Sequence, residues 1–240
     1  MTSPPPAKAQ KAFVASHVGL LRTLNEDACA VSSATERVTD WTGSISSQDG
    51  WALIADGLGG HAAGEIASTL AIEIMRPLMS ALQTEQDIQD AVNTADAGLF
   101  MAMEMRPELH GLGTTIAGVL LRPSKAITFN AVDSRCYLFE SGALTQVSVD
   151  DRTKRGRLLQ CLGGFQEPVP MYVHTHPVEG DATILLCSDG LSDLVADDEI
   201  CSILASRAAH PAQALVDAAL KAGGNDNVTV VVIESSSLRP

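Results

Sequence analysis

Aromatic residues are scarce in this chain of 240 residues: phenylalanine, tyrosine and tryptophan together supply 4% of it. The two tryptophans, Trp41 and Trp51, therefore read as packing residues rather than as a stacking platform for a ligand. Positive charge is also short, with 16 lysines and arginines against 29 acids and a net charge of −13. That balance argues against a nucleic-acid partner, because phosphate-backbone sites are usually basic. No stretch approaches the ~18–20 apolar residues of a membrane span, and residues 1–11 lack the apolar core of a signal peptide. The five cysteines, at 29, 136, 161, 187 and 201, are odd in number and form no C-x-x-C pair. Neither a disulfide framework nor a zinc ribbon is indicated, and a soluble, cytoplasmic protein with reduced, mostly buried thiols is expected. There is no internal repeat.

What the chain does have is apolar residues, at 45%, enough for one well-buried core. The expected organisation is a disordered lead-in over 1–11, one domain over 12–235 and a tail over 236–240. Short apolar or alternating runs predict strands near 12–18, 27–33, 50–56, 114–121, 126–132, 136–140, 182–188 and 228–233. Ile66, Leu70, Ile74, Leu78 and Leu82 recur every four residues as on an amphipathic helix, which Pro77 should kink or split. Ile88, Val92, Ala95, Leu99 and Ala102 mark a partner helix. Acids 197–199 precede a further short helix. Pro211 suits the first position of another, and Gly223-Gly224 suits its end. Strands, two long helices, strands again and a late helical pair do not alternate as in a doubly wound sheet. Stacked antiparallel sheets covered by helices fit better.

Two of the strand-like runs end on aspartate-glycine: Trp51 to Asp56-Gly57, and Ile184 to Asp189-Gly190. A third acid, Asp226, sits between two asparagines just before the run 228–233. Carboxylates fixed at strand ends, where glycine permits a sharp turn and close backbone approach, are what a hard divalent cation requires. An isolated Asp-Gly is usually only a turn. Three acids so placed point to a metal centre, although a solvated acidic surface explains most of the excess charge equally well.

The motifs resemble a known family. Arg22-Thr-Leu-Asn25-Glu26-Asp27, Asp56-Gly57-Leu-Gly59-Gly60-His61, Gly113-Thr114-Thr115, Asp133-Ser134-Arg135, Ser188-Asp189-Gly190-Leu191 and Asp226-Asn227-Val-Thr229 occur in the order of the metal-dependent serine/threonine phosphatases of type 2C (PPM), most like the bacterial branch. The resemblance runs from about residue 12 to residue 234. It implies an α+β fold, a four-layer αββα sandwich of two central, mainly antiparallel sheets flanked by helix pairs. It also implies two Mn²⁺ or Mg²⁺ ions, bridged by Asp56, with the Gly57 carbonyl on one and Asp189 and Asp226 on the other. Glu26 and Asp27 would act as outer partners through water, and Arg22 would clamp the phosphate. The implied reaction is attack of a metal-activated water on phosphoserine or phosphothreonine, in phosphoproteins that a serine/threonine kinase has modified. No membrane or nucleic-acid partner and a monomeric state are expected.

Departures from the pattern matter. Leu58 stands where some relatives carry a histidine proposed as general acid, leaving His61 as a weak substitute or a packing residue. Asp133 matches an acid that helps hold a third, weaker ion in bacterial relatives, yet Val132 replaces the usual preceding glycine; hydrogen bonding within the turn is the other reading. The flap beside the site is nearly deleted. Its remnant holds Arg152, Lys154, Arg155 and Arg157, either a basic steering loop for phosphorylated segments or a solvated turn. His174 and His176 would share one face of a strand, a zinc-like pair without an evident third ligand. Two other functions stay open: a phosphoprotein-binding regulatory module without turnover, and a hydrolase of small phosphoesters.

Overall fold

The unbroken apolar run from Val228 to Ile233 is explained by cover on both faces. In β12 (Val228–Glu234), Val228, Val230 and Val232 pack outward with Phe13, Leu185 and Leu215, while Val231 and Ile233 point inward to meet Val14, Ile54, Val119 and Leu186. A strand buried on both sides needs no polar alternation. The computed structural model describes residues 9–34, 38–58, 62–153, 160–164, 169–178 and 180–235.

The remaining strands are β1 (Ala9–His17), β2 (Asp27–Val31), β3 (Asp40–Ser46), β4 (Trp51–Leu58), β5 (Gly113–Thr114), β6 (Ile116–Arg122), β7 (Lys125–Ala131), β8 (Arg135–Glu140), β9 (Ala143–Gln146), β10 (Tyr172–Pro177) and β11 (Thr183–Cys187). One sheet runs β3-β1-β12-β11-β8-β9 and the other β10-β7-β6-β4-β2, with β5 paired to β4; the pairings are antiparallel. The helices are α1 (Ala62–Met75), α2 (Glu85–Met105), α3 (Asp189–Ser192), α4 (Asp197–Ala205) and α5 (Pro211–Lys221). Helices α1 and α2 cover the second sheet through Leu53, Met75, Val92 and Leu99, and α4 with α5 covers the first. The result is the four-layer αββα sandwich.

Several boundaries differ from the sequence pattern for local reasons. Strand β1 starts at Ala9, inside the expected lead-in, because Ala9 to Lys11 are paired along β3 and Lys11 also faces Glu234. The stripe from Ile66 to Leu82 is one helix only as far as Met75; Pro77 falls in a turn and Met79–Ala81 form a separate 3₁₀ turn. Thr84 then caps α2, its hydroxyl accepting from Asp87 N–H while the Asp87 carboxylate accepts from Thr84 N–H. Strands β3 and β9 were not evident from pattern; both alternate exposed and half-buried residues near a sheet edge, which blunts the apolar signal. Trp51 packs under the first helix pair and donates its indole N–H to Ser80, and Trp41 packs against the inter-sheet core, so both are packing residues.

Gly190, at the junction of β11 and α3, shows how tightly the site end is built. A Cβ there would lie 1.9 Å from the Asn227 carbonyl oxygen. Gly190→Ala is expected to cost about 1–3 kcal/mol and to lower the melting temperature by several degrees, through overpacking against backbone. A melting temperature unchanged by that substitution would show that the two segments separate more easily than this contact implies.

Candidate metal centre

Five acids come from five different segments and gather at one end of the sandwich. Asp27 opens β2 and sits directly across from Asp56 at the end of β4. Asp189 follows β11, Asp226 precedes β12, and Asp133 follows β7. Antiparallel strands of both sheets end here, which is how acids more than a hundred positions apart become neighbours.

The backbone around each acid is locked. The Asp56 N–H donates to the Thr115 hydroxyl at 2.9 Å, and its carbonyl accepts from Thr115 N–H at 2.9 Å and the Thr114 hydroxyl at 2.8 Å. The Thr115 hydroxyl in turn meets Ser134 Oγ at 2.6 Å. Gly57 N–H donates to the Glu26 carbonyl, and a Cβ on Gly57 would lie 2.1 Å from the Gly64 carbonyl oxygen, so only glycine fits that approach. A Cβ on Gly64 would in turn lie 2.7 Å from the Glu26 carboxyl group, which places Glu26 over the start of α1. Ser188 donates to Asp27 Oδ2 at 2.8 Å and accepts from Thr229 N–H at 2.9 Å.

Asn227 is the residue whose role the sequence did not reveal. Its Nδ2 donates to the carbonyls of Val18 and Leu24, both at 2.9 Å, and its Oδ1 accepts from Glu26 N–H at 2.7 Å. One buried side chain thereby fastens the loop carrying Arg22, Glu26 and Asp27 to the start of β12. Asp150 and Asp193 were also missed. Asp193 lies four positions after Asp189, a helical spacing that was the available signal.

Burial, and after it crowding, raises the acids' proton affinity. Burial first, then the carboxylates of Asp27, Asp189, Asp133 and Asp226, hold Asp56 well above its ordinary range. Burial raises Asp189 as well, with Asp193 and Asp226 adding and a hydrogen bond with Asp56 opposing. Asp27 is pushed up to about 7 by burial against the hydroxyl bonds of Thr229 and Ser188, and Asp133 to about 7 by burial and Asp189 against Arg152.

The donor set fits hard divalent cations. All the grouped side chains offer oxygen, they repel one another as anions, and Asp27 Oδ1 is buried with no hydrogen-bond partner. Among the described residues, no three His, Cys, Asp or Glu side chains are drawn together closely enough to hold an ion as they stand. The site is therefore an open cluster of carboxylates. Arg22 lies at its rim, donating to Asp226 Oδ2 at 2.6 Å with about half its side chain exposed.

Arg152 behaves differently from a free steering cation. Its guanidinium makes two bonds to Asp193 at 2.8 and 3.1 Å and stands 3.4 Å from Asp150 and 3.7 Å from Asp133. Arg135 holds Asp150 through Nη2 at 2.7 Å and through Nε at 3.1 Å to each carboxylate oxygen. Ser134 and Arg135 thus bond away from their own turn. Val132 adopts φ +81, a left-handed conformation strained for a β-branched residue. Its carbonyl accepts from Asp151 N–H at 2.8 Å. Lys154, Arg155, Arg157 and His61 lie outside the described residues. His174 and His176 have rings 6.2 Å apart on β10, and His176 bonds Thr128; no third ligand joins them among the described residues. A cavity of about 670 Å³ lined by Phe13, Phe139, Leu204 and Glu234 lies at the other end of β12, remote from the acids.

The family model for Protein phosphatase 2C matches residues 24–222. The chain belongs to this family. It is 35% identical over 207 residues to the serine/threonine protein phosphatase PstP of Mycobacterium tuberculosis, covering 75% of this chain and 39% of that protein. The chain thus spans well under half the length of this relative. The serine/threonine phosphatase stp of Listeria monocytogenes is 28% identical over 210 residues, 76% of this chain and 83% of the relative. A structure of the PstP catalytic domain in complex with two manganese ions is similar with a TM-score of 0.76 at 31% identity, covering 95% of this chain and 99% of that one. The family assignment agrees with the fold and with the bacterial resemblance of the motifs.

The proton affinities have a thermodynamic consequence. Asp27 and Asp133 keep protons to about 7 in the folded chain, whereas an unperturbed carboxyl loses its proton near 3.8. Folding takes up protons in that window, so stability falls as pH rises through it. Chelator-treated protein is expected to melt at a higher temperature at about pH 6 than at about pH 8, and manganese should reverse the trend because cation binding requires the deprotonated acids. Melting temperatures in chelator that rise over this range would contradict the assigned burial of these acids.

Proposed function

We infer that the chain is a metal-dependent protein phosphatase acting on phosphoserine and phosphothreonine in proteins modified by a serine/threonine kinase. The carrying observation is the convergence of Asp27, Asp56, Asp133, Asp189 and Asp226 beside one arginine at the rim. Asp56, the Gly57 carbonyl, Asp189 and Asp226 would hold two Mn²⁺ or Mg²⁺ ions, with Glu26 and Asp27 orienting them from outside. Such a pair, when bound, supplies an activated water and offsets the charge of phosphoryl transfer.

The protein's own residues do the rest. Arg22 offers its planar fork to the phosphate oxygens, and its bond to Asp226 sets it at the edge of the acid cluster in advance. Thr114 and Thr115 fix Asp56 from the neighbouring strand. Asp133 would share in a third, weaker ion, which would compete for its carboxylate with the guanidinium of Arg152 3.7 Å away. No side chain is assigned as general acid. The five free cysteines suit a reducing cytoplasm, and the acidic charge suits a partner other than nucleic acid. We take the working unit to be a monomer.

Asp56→Asn and Asp226→Asn are each expected to lower manganese-dependent hydrolysis of a phosphothreonine peptide by more than about a hundredfold. Neither should lower the melting temperature in chelator much, since relief of carboxylate repulsion offsets lost hydrogen bonds. Arg22→Ala should reduce kcat/KM by about ten- to a hundredfold with manganese affinity retained. Near wild-type rates in either aspartate variant would refute the ligand assignment. A preference for small phosphomonoesters over the peptide would favour a small-molecule hydrolase instead.

A further inference from the structure

Leu20, Leu21 and Leu24 are 62%, 71% and 44% exposed. Among the described residues only Met101, Met105 and Val149 join them as exposed large apolar side chains, so half of that set falls in five consecutive positions around Arg22. Isolated surface leucines need no explanation, but a cluster beside a binding group does.

The segment that carries them is tied down at both ends. Leu20 N–H donates to the Gly224 carbonyl at 2.7 Å, Asn227 holds the carbonyls of Val18 and Leu24, and Asn25 Nδ2 donates to Ser16 Oγ at 2.9 Å. Gly19, at φ +81, has no room for a side chain, because a Cβ there would lie 2.2 Å from the Asp226 carbonyl oxygen. Leu20 rests partly over Gly224, and Leu21 is the most exposed of the three. A fixed backbone that presents apolar side chains to water loses little further entropy when they are covered.

We propose that Leu20, Leu21 and Leu24 form an apolar shelf that receives bulky aliphatic or aromatic residues flanking the phosphorylated residue of a peptide substrate. This rests on the phosphatase reading for the role of Arg22. An extended peptide advances about 3.3 Å per residue, so with its phosphate on Arg22 the side chains one to three positions away come over the neighbouring leucines. Charge excludes one class of flank: acidic residues are repelled by a chain of net charge −13, and apolar ones are not.

The test uses the full chain loaded with manganese and two fluorescent peptides bearing a non-hydrolysable difluoromethylene phosphonate, identical except for leucine or serine on both sides of the phosphorylated position. The leucine peptide should bind about tenfold more tightly, as burial of one or two side chains predicts. Leu21→Ser with Leu24→Ser should bring the ratio to about one, leaving affinity for the serine peptide unchanged, while Leu24→Met should keep the preference. Equal binding of the two peptides by the wild type, a ratio preserved in the double variant, or a wild-type dimer that the double variant dissolves would each overturn the shelf. Turnover of phosphothreonine peptides is scored separately. Flank preference without turnover under any metal supports the shelf and removes the phosphatase reading, whereas turnover without preference removes the shelf alone.

Discussion

Mutual repulsion among carboxylates gathered at one end of two stacked sheets is the constraint to which the other features of this molecule answer. A cluster containing Asp27, Asp56, Asp133, Asp189 and Asp226 would spread apart in a flexible loop. Here each acid sits at a strand end whose position is set by sheet pairing, and the pairing is fixed by cores on three levels. Thr114, Thr115, Ser188 and Asn227 then bind the backbone or carboxylate of individual acids. Burial and crowding together disfavour the ionised acids, and a bound cation would offset that cost by pairing with their charge.

Arginines manage the remaining charge. Arg135, Arg152, Asp150, Asp193 and Asp133 form a chain of ion pairs along one wall, and Arg22 meets Asp226 on the other. Both Arg152 and Asp150 have side chains 18% exposed, so this network is screened less than a surface pair. The wall with its own built-in cation and the side with the open arginine are thus chemically distinct. The leucines beside Arg22 belong to the open side, where a phosphorylated segment would arrive.

Much of this was legible in the sequence because the strong signals were local. Asp56-Gly57 and Asp189-Gly190 announced strand ends, the stripe from Ile88 to Ala102 announced α2, and the two-faced apolar run of β12 announced a strand covered on both sides. The weaker elements failed for physical reasons. β3 and β9 are half exposed, and the polar residues Gln10 and Lys11 became strand only through partners remote in sequence. The clamp by Asn227 was hidden because its three bonds reach residues more than two hundred positions away. The placement of Arg152 among acids was likewise invisible, since its charge alone suggested a solvent-facing cation. The strained φ of Val132 is the structural trace of a position where sequence had already marked a missing glycine.

The central claim is that these carboxylates converge to hold two cations at Asp56. Anomalous scattering at the manganese absorption edge, from crystals grown with manganese, measures this most directly. The account predicts two peaks, both contacting the Asp56 carboxylate and one of them contacting Asp189 and Asp226 as well. A single peak, or two peaks that leave Asp56 untouched, would contradict it.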